Sequence, residues 1–254
     1  MEKGKVIELE HVDAGYVGGA AILSDLTFSV NAGEVFVLLG GSGCGKSTVM
    51  RHMIGLNPVL GGKLRVLGMD MCRKNLHAIH RRIGVMYQSG ALFGNMTCVQ
   101  NVQLPLDEFS KLGRKARREK AMNLLDKVGL ADAAAKMPSE ISGGMRKRVA
   151  IARAMALDPE ILFLDEPSAG LDPITSSALD DLILDIRKER GTTFVVVTHE
   201  LPSIFKIADR CAMFDKARHG MIAIGSPTEL RDNSSDDFVK RFFARKSPVE
   251  ARKD

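Results

Sequence analysis

The run Gly40-Gly41-Ser42-Gly43-Cys44-Gly45-Lys46-Ser47-Thr48 has the spacing G-x-x-x-x-G-K-[ST], which suits a polyphosphate. Glycines let backbone N–H groups converge on phosphate oxygens where a Cβ would block the approach. Lys46 would neutralise the β- and γ-phosphates, and Ser47 would ligate Mg²⁺. Downstream, the apolar run Ile161-Leu162-Phe163-Leu164 ends in two carboxylates, Asp165 and Glu166. Side chains alternate across a strand, so the two should point differently. Asp165 can then reach the Mg²⁺ shell, and Glu166 can face an attacking water as general base. A third feature is Ser142-Gly143-Gly144, where Ser142 is a good N-cap for a helix running to about Ala156. A serine–glycine helix start can bind a second anion through bare N–H groups. It can equally be an ordinary capped helix. One ATP needs only one phosphate loop, so a second anion site would hint at a second subunit's nucleotide.

These groups need particular supports. Val35 to Leu39 is a short apolar run of strand type, and Thr48 to Ile54 reads as a helix, which gives the strand–turn–helix setting a phosphate loop requires. Val6 to His11 alternates like a half-buried strand, and Ile22 to Val30 suggests another, with a turn around Ser24-Asp25. Leu64–Leu67 and Ile83–Met86 look like short strands. From about Gly90 to Met137 the character becomes helical: Lys115 to Val128 is charged and amphipathic, Ala131 to Lys136 is helix-prone, and Pro105, Gly113 and Pro138 punctuate the region. Ile161–Leu164 and Phe194–Val197 are fully apolar, as buried parallel strands are. Helices are predicted over Ile174–Glu189 and Pro202–Ile207, and Met145, Val149, Ala152 and Ala156 fall on one core-facing stripe. Strand–helix alternation predicts an α/β, doubly wound sheet.

The 254 residues suffice for one large or two small domains with a real core. No apolar run approaches the roughly 18 residues of a membrane span. Met1 to Lys5 leads into a strand, so no secretory signal is expected. Cys44, Cys72, Cys98 and Cys211 lie far apart, which argues against a zinc site or disulfide framework and suits a reducing cytoplasm. The net charge of +5 is modest, and scattered solvated Lys and Arg account for it without a nucleic-acid partner. His77 and His80 fit no motif and read as solvated. There is no internal repeat, and the residues from Lys246 on are charged and expected to fray.

Taken in order, these motifs resemble the nucleotide-binding subunits of ABC transporters over nearly the whole chain. Gly40–Thr48 is similar to the Walker A loop, Ile141–Met145 to the signature motif and Leu162–Glu166 to Walker B. Tyr16 lies where an aromatic stacks on adenine, Gln88 where the Q-loop glutamine follows a strand, Ser168–Asp172 where the D-loop falls, and His199 where the switch histidine stands. The signature departs from L-S-G-G-Q: Ile141 replaces Leu and Met145 replaces Gln. The resemblance implies a P-loop NTPase with a RecA-like parallel-sheet core, an N-terminal antiparallel β subdomain and an inserted helical subdomain at about 90–157, all in one ATPase domain over 1–245. It implies ATP and Mg²⁺, with Gly40, Gly41, Ser42, Gly43, Cys44, Gly45, Lys46, Ser47 and Thr48 on the nucleotide. Ser47, Gln88 and Asp165 would lie at the metal; Glu166 would be the base, with His199 holding the γ-phosphate and water. It implies a head-to-tail homodimer, with Ser142, Gly143 and Gly144 of one copy on the other copy's γ-phosphate. Membrane contact is expected only through permease subunits.

Three shorter runs narrow the resemblance: Ser142-Gly143-Gly144-Met145-Arg146-Lys147-Arg148, Gln88-Ser89-Gly90-Ala91-Leu92-Phe93, and Asp237-Phe238-Val239-Lys240-Arg241-Phe242-Phe243. They are similar to the ATPases of Mce-associated (Mla-type) phospholipid transporters, which implies an Mce-domain partner and a place on the cytoplasmic face of an inner membrane. Phe238, Phe242 and Phe243 form an apolar helical patch that either docks on the other ATPase copy or packs on its own domain. Two alternatives stand beside this reading. One is the ATPase of another importer or exporter, whose catalytic residues would be the same. The other is a soluble, non-transport ABC ATPase such as an iron–sulfur assembly ATPase.

Overall fold

The computed structural model describes residues 4–244, so the tail expected over 246–254 and the first three residues lie outside them. Two sheets organise the chain. In the first, β1 (Lys5–Gly15) pairs antiparallel with both β2 (Ala21–Asn31) and β4 (Gly61–Val66), and β5 (Met69–Asp70) pairs with β4, in the order β2-β1-β4-β5. The second has the order β10-β9-β3-β8-β7-β6, from β3 (Val35–Gly40), β6 (Ile83–Met86), β7 (Ile161–Asp165), β8 (Thr193–Val197), β9 (Arg210–Asp215) and β10 (Gly220–Gly225). Its strands are parallel except β10, which runs antiparallel at one edge. The helices are α1 (Lys46–Met53), α2 (Leu76–His80), α3 (Cys98–Phe109), α4 (Arg114–Lys127), α5 (Gly143–Ala154), α6 (Pro173–Arg190), α7 (Leu201–Ile207), α8 (Pro227–Asn233) and α9 (Asp237–Phe243).

The parallel strands read as continuous apolar runs because both their faces are covered. Val35, Val37 and Leu39 of β3 pack into one cluster with α3 to α7, while Phe36 and Leu38 pack into another with α1 and the antiparallel sheet. β7 divides the same way, Leu162 and Leu164 against Ile161 and Phe163, and so does β8, Phe194 and Val196 against Val195 and Val197. The period-2 alternation thus feeds two cores from one sheet.

Several sequence expectations are corrected. No turn interrupts β2 at Ser24-Asp25; the strand continues through a bulge where Asp25 has φ +55°. Only Ala131–Ala133 of the helix-prone 131–136 stretch is helical, as one 3₁₀ turn. Pro105 does not punctuate the chain but lies inside α3, whose bounds the helical reading of the region had not set. A capping box starts α3: the Thr97 hydroxyl accepts from Gln100 N at 3.3 Å, and the Gln100 side chain accepts from Thr97 N at 2.8 Å. Strands β9 and β10 were unanticipated. His77 and His80 are exposed, though His80 Nε2 lies 2.9 Å from the Ile54 carbonyl oxygen.

Part of the C-terminal phenylalanine patch packs on its own domain. The inner face of α9 is the buried one: Val239 and Phe243 are covered in the cluster shared with α3 to α7, and Phe238 and Phe242 pack against it partly covered. Phe243 meets Phe205 of α7 edge-on at 5.7 Å. The helix therefore packs on its own domain. Phe243→Ala is expected to cost about 3 kcal/mol of stability by urea denaturation; a loss under about 0.5 kcal/mol, the range of ordinary surface changes, would contradict this packing.

Candidate active site

The parallel register sets the site. Strand neighbours are β3, β8, β7 and β6, with Leu38 beside Val197, Asp165 beside Val197 and Met86 beside Leu164. Their C-terminal ends therefore lie along one edge, where open α/β sheets bind ligands. Each strand delivers one motif there: the glycine loop after β3, Thr198-His199 after β8, Asp165-Glu166 at the end of β7, and Gln88 just past β6.

The glycine loop is shaped by its own atoms. Gly40 has φ +141°, and a Cβ there would lie 2.4 Å from the Phe214 carbonyl oxygen and 2.6 Å from Cys44 Sγ, so no other residue fits. Gly45, at φ +104°, is the N-cap of α1. Lys46 Nζ donates to the carbonyls of Gly40 at 2.9 Å and Gly41 at 3.0 Å. Its third contact is Cys44 Sγ at 3.9 Å, a weak acceptor that a phosphate oxygen can displace. A cleft of about 210 Å³ is lined by Tyr16, Ile22, Gly43, Gly45, Lys46, Ser47 and Thr48. Tyr16, 49% exposed, thus stands in the wall of the phosphate loop's cleft. A larger depression of about 540 Å³ around Ala32, Gly33, Arg187 and Gly191 holds none of the motif residues and lies near the start of β3.

Ser47 Oγ donates to Asp165 Oδ1 at 3.3 Å, joining the loop to β7. Burial raises the Asp165 pKa above the usual carboxylate range, opposed by the Ser47 hydroxyl and the charges of Arg51, Lys46 and Lys147. Among the described residues, no group of three or more His, Cys, Asp or Glu could hold a metal alone. The hard oxygen donors of Ser47 and Asp165 fit Mg²⁺, which is held by one or two carboxylates together with substrate phosphates.

Glu166 sits just past β7 with φ +46°, a left-handed backbone that is uncommon for a residue with a Cβ. The divergence of Asp165 and Glu166 therefore comes with this turn as well as with strand alternation. His199 Nδ1 lies 2.9 Å from Glu166 Oε1, so an imidazole protonated on Nδ1 donates to the carboxylate. Glu166 Oε2 is buried and has no hydrogen-bond partner.

Two groups remain apart. Three strand spacings, about 14 Å, separate β3 from β6. Gln88 is exposed, and only its backbone carbonyl is held, by the ammonium of Lys147. Ser142 caps α5, its hydroxyl accepting from Met145 N at 3.2 Å. Gly144 packs against α6, where a Cβ would lie 2.6 Å from Thr175 Cγ2. None of residues 142–144 lines the phosphate-loop cleft. At the D-loop, Asp172 caps α6 through Ile174 N at 3.1 Å and Thr175 N at 3.0 Å. The Thr175 hydroxyl also donates to Asp172 and helps hold its carboxyl below the usual range.

Lys147 was not among the expected site residues. It is 7% exposed and donates to the carbonyl oxygens of Gln88 and, at 3.1 Å, Glu166. Burial lowers its pKa from the ordinary lysine value, and the Glu166 and Asp165 charges oppose that drop. The signal in the sequence was its spacing: Gly144, Lys147 and Ile151 share a buried helical face, where an unpaired lysine would be costly.

Comparison with known proteins adds to this geometry. Residues 23–169 match the family model described as ABC transporter. The chain is 38% identical over 246 residues to the probable ribonucleotide transport ATP-binding protein mkl of Mycobacterium leprae, covering 96% of this chain and 70% of that one. It spans 63% of the Mycobacterium bovis counterpart. It is 37% identical to the glutamine transport ATP-binding protein GlnQ of Geobacillus stearothermophilus, covering 91% of this chain and 95% of that one. A solved ATP-binding cassette, a dimer in a post-hydrolysis state with ADP and Pi bound, superimposes with a TM-score of 0.78 at 28% identity, covering 87% of this chain and 98% of that one. The chain belongs to the ABC transporter family, as an ATP-binding subunit that hydrolyses ATP with Mg²⁺.

Proposed function

We propose that this chain powers phospholipid transport between inner and outer membranes, as a head-to-tail homodimer bound to permease subunits and an Mce-domain protein. It acts as one ATPase domain over residues 1–245, at the cytoplasmic face of the inner membrane. The helices within 90–157 face the permease. No helix among the described residues is long and apolar enough to cross a membrane.

Gly40 to Thr48 cradle the phosphates with backbone N–H groups, and the start of α1 adds its partial charge. Lys46 offsets the charge of the β- and γ-phosphates, and Tyr16 stacks on the adenine. Ser47 and Asp165 would hold Mg²⁺, joined by Gln88 once the loop after β6 moves toward the phosphate loop, and the ion when bound would neutralise charge on the phosphate oxygens. Glu166 takes a proton from the attacking water as the water oxygen bonds to the γ-phosphorus and the bond to the β-phosphate oxygen breaks. His199 orients Glu166 and holds the γ-phosphate. Ser142, Gly143 and Gly144 complete the partner copy's site.

One observation carries the hydrolytic reading: a carboxylate with Oε1 engaged by His199 and Oε2 buried without a partner. A buried unpartnered oxygen is costly unless a ligand satisfies it. The cargo reading is supported by the three runs around Met145, Gln88 and Phe238. The names of the mkl and GlnQ relatives favour a second reading, transport of a small solute. Affinity purification of this chain from detergent-solubilised native membranes separates the two. Co-purification of an Mce-domain protein and a multi-span permease is the expected result. A permease with a solute-binding protein would replace the cargo, and soluble partners alone would overturn transport.

A further inference from the structure

Helix α5 holds the loop after β6 through two cations. Arg153 donates to the carbonyls of Gly90 and Ala91, each at 2.7 Å. Lys147, fewer than two turns earlier, donates to the carbonyl of Gln88. Lys147 also donates to the carbonyl of Glu166, 19 residues away on another element. That carbonyl belongs to a residue with φ +46°, and it accepts a second bond from Ala169 N at 3.2 Å. The Glu166 N–H is tied to the Val197 carbonyl at 2.8 Å. The peptide around Glu166 is thus fixed from three sides, and only one of these ties comes from the helical layer. Lys147 is nearly covered, its charge spent on two backbone oxygens and not on a carboxylate partner.

We propose that Lys147 is a positioning residue for ATP hydrolysis: its ammonium ties α5 and the Gln88 loop to the left-handed peptide of Glu166. A shift of α5 or of that loop then moves the peptide that aims the Glu166 carboxylate. This rests on the assignment of Glu166 as the base. Arg153 serves as the internal comparison, because it clamps the same loop to α5 without touching Glu166.

The test uses the complex purified from native membranes through a tag on this chain, with kcat and KM for MgATP, ATP affinity and melting temperature measured together. Lys147→Met keeps the stem and removes the donors. Misplacing a catalytic group by a fraction of an ångström to one ångström costs up to about 10²-fold in rate. Lys147→Met is therefore expected to lower kcat by about tenfold or more, with ATP affinity within about threefold of the parent. Arg153→Met is expected to lower the melting temperature at least as much while kcat falls less. If Lys147→Met does not assemble, Lys147→Gln, with an N–H donor on a shorter stem, is read in its place. The role is overturned if kcat stays within twofold of the parent, or if Arg153→Met lowers kcat equally. Glu166→Gln in the same preparation keeps the two claims apart. Full turnover there removes the base assignment, whereas loss of turnover there with an unaffected Lys147→Met removes only the positioning role.

Discussion

Glu166→Gln is expected to lower ATP turnover by about 10²–10⁴-fold, the usual worth of a positioned general base, while leaving ATP affinity near that of the parent. The amide keeps the shape of the carboxylate and still accepts from His199, but it cannot take a proton from water. The oxygen it replaces is buried and otherwise unpartnered, so the change removes a reactive group without opening a cavity. ATP should accumulate uncleaved on the protein. Single-turnover hydrolysis and equilibrium nucleotide binding check the two halves of the expectation. Turnover within twofold of the parent would move the base elsewhere.

Lys46→Ala has a different signature, because binding fails before chemistry. A hydrogen bond to a charged group contributes about 1.5–3 kcal/mol, so ATP affinity should fall roughly 10- to 150-fold. The loop suffers too. Lys46 bonds the carbonyls of Gly40 and Gly41, and alanine leaves both without that donor. Lys46→Arg should not rescue the variant, since the side chain is 9% exposed and a guanidinium is larger and planar. Fluorescent-nucleotide titration reads the change directly. Unaltered affinity in Lys46→Ala would show that the loop binds phosphate through its backbone alone.

The motif residues were legible because each is local. Gly40 to Thr48, and Ile161 to Glu166, carry strand, turn and ligand within a few residues. The covered parallel strands were legible for the same reason, since burial on both faces writes an unbroken apolar run. The extent of helix α3 within the helical region was obscured by Pro105, which reads as a breaker although the helix has a good capping box at Thr97 and Gln100. Strand β10 was obscured by its edge position, where partial exposure and flanking glycines mimic a loop. The φ of Glu166 leaves no trace in residue type, and the bonds of Lys147 join positions 19 and 59 residues apart. Such ties are tertiary and cannot be read from spacing alone, although a lysine between Gly144 and Ile151 on a buried face marks the place to look. Gln88 shows the converse. Its motif is evident, yet two strands stand between its own strand and that of the phosphate loop, and only its carbonyl is anchored.

In the proposed dimer each nucleotide is enclosed by two copies of the chain, the phosphate loop of one and the α5 start of the other. Sedimentation velocity on Glu166→Gln, with and without MgATP, and again with Ser142→Arg added, tests it most directly. Ser142→Arg puts bulk and charge at the helix start and removes a cap worth about 1 kcal/mol, so circular dichroism must first show that α5 still folds. An ATP-dependent dimer is expected for Glu166→Gln. With Ser142→Arg added, a monomer that binds ATP as tightly as the Glu166→Gln monomer is expected. A dimer that survives Ser142→Arg, or a monomer whose ATP affinity collapses with it, would contradict the shared site.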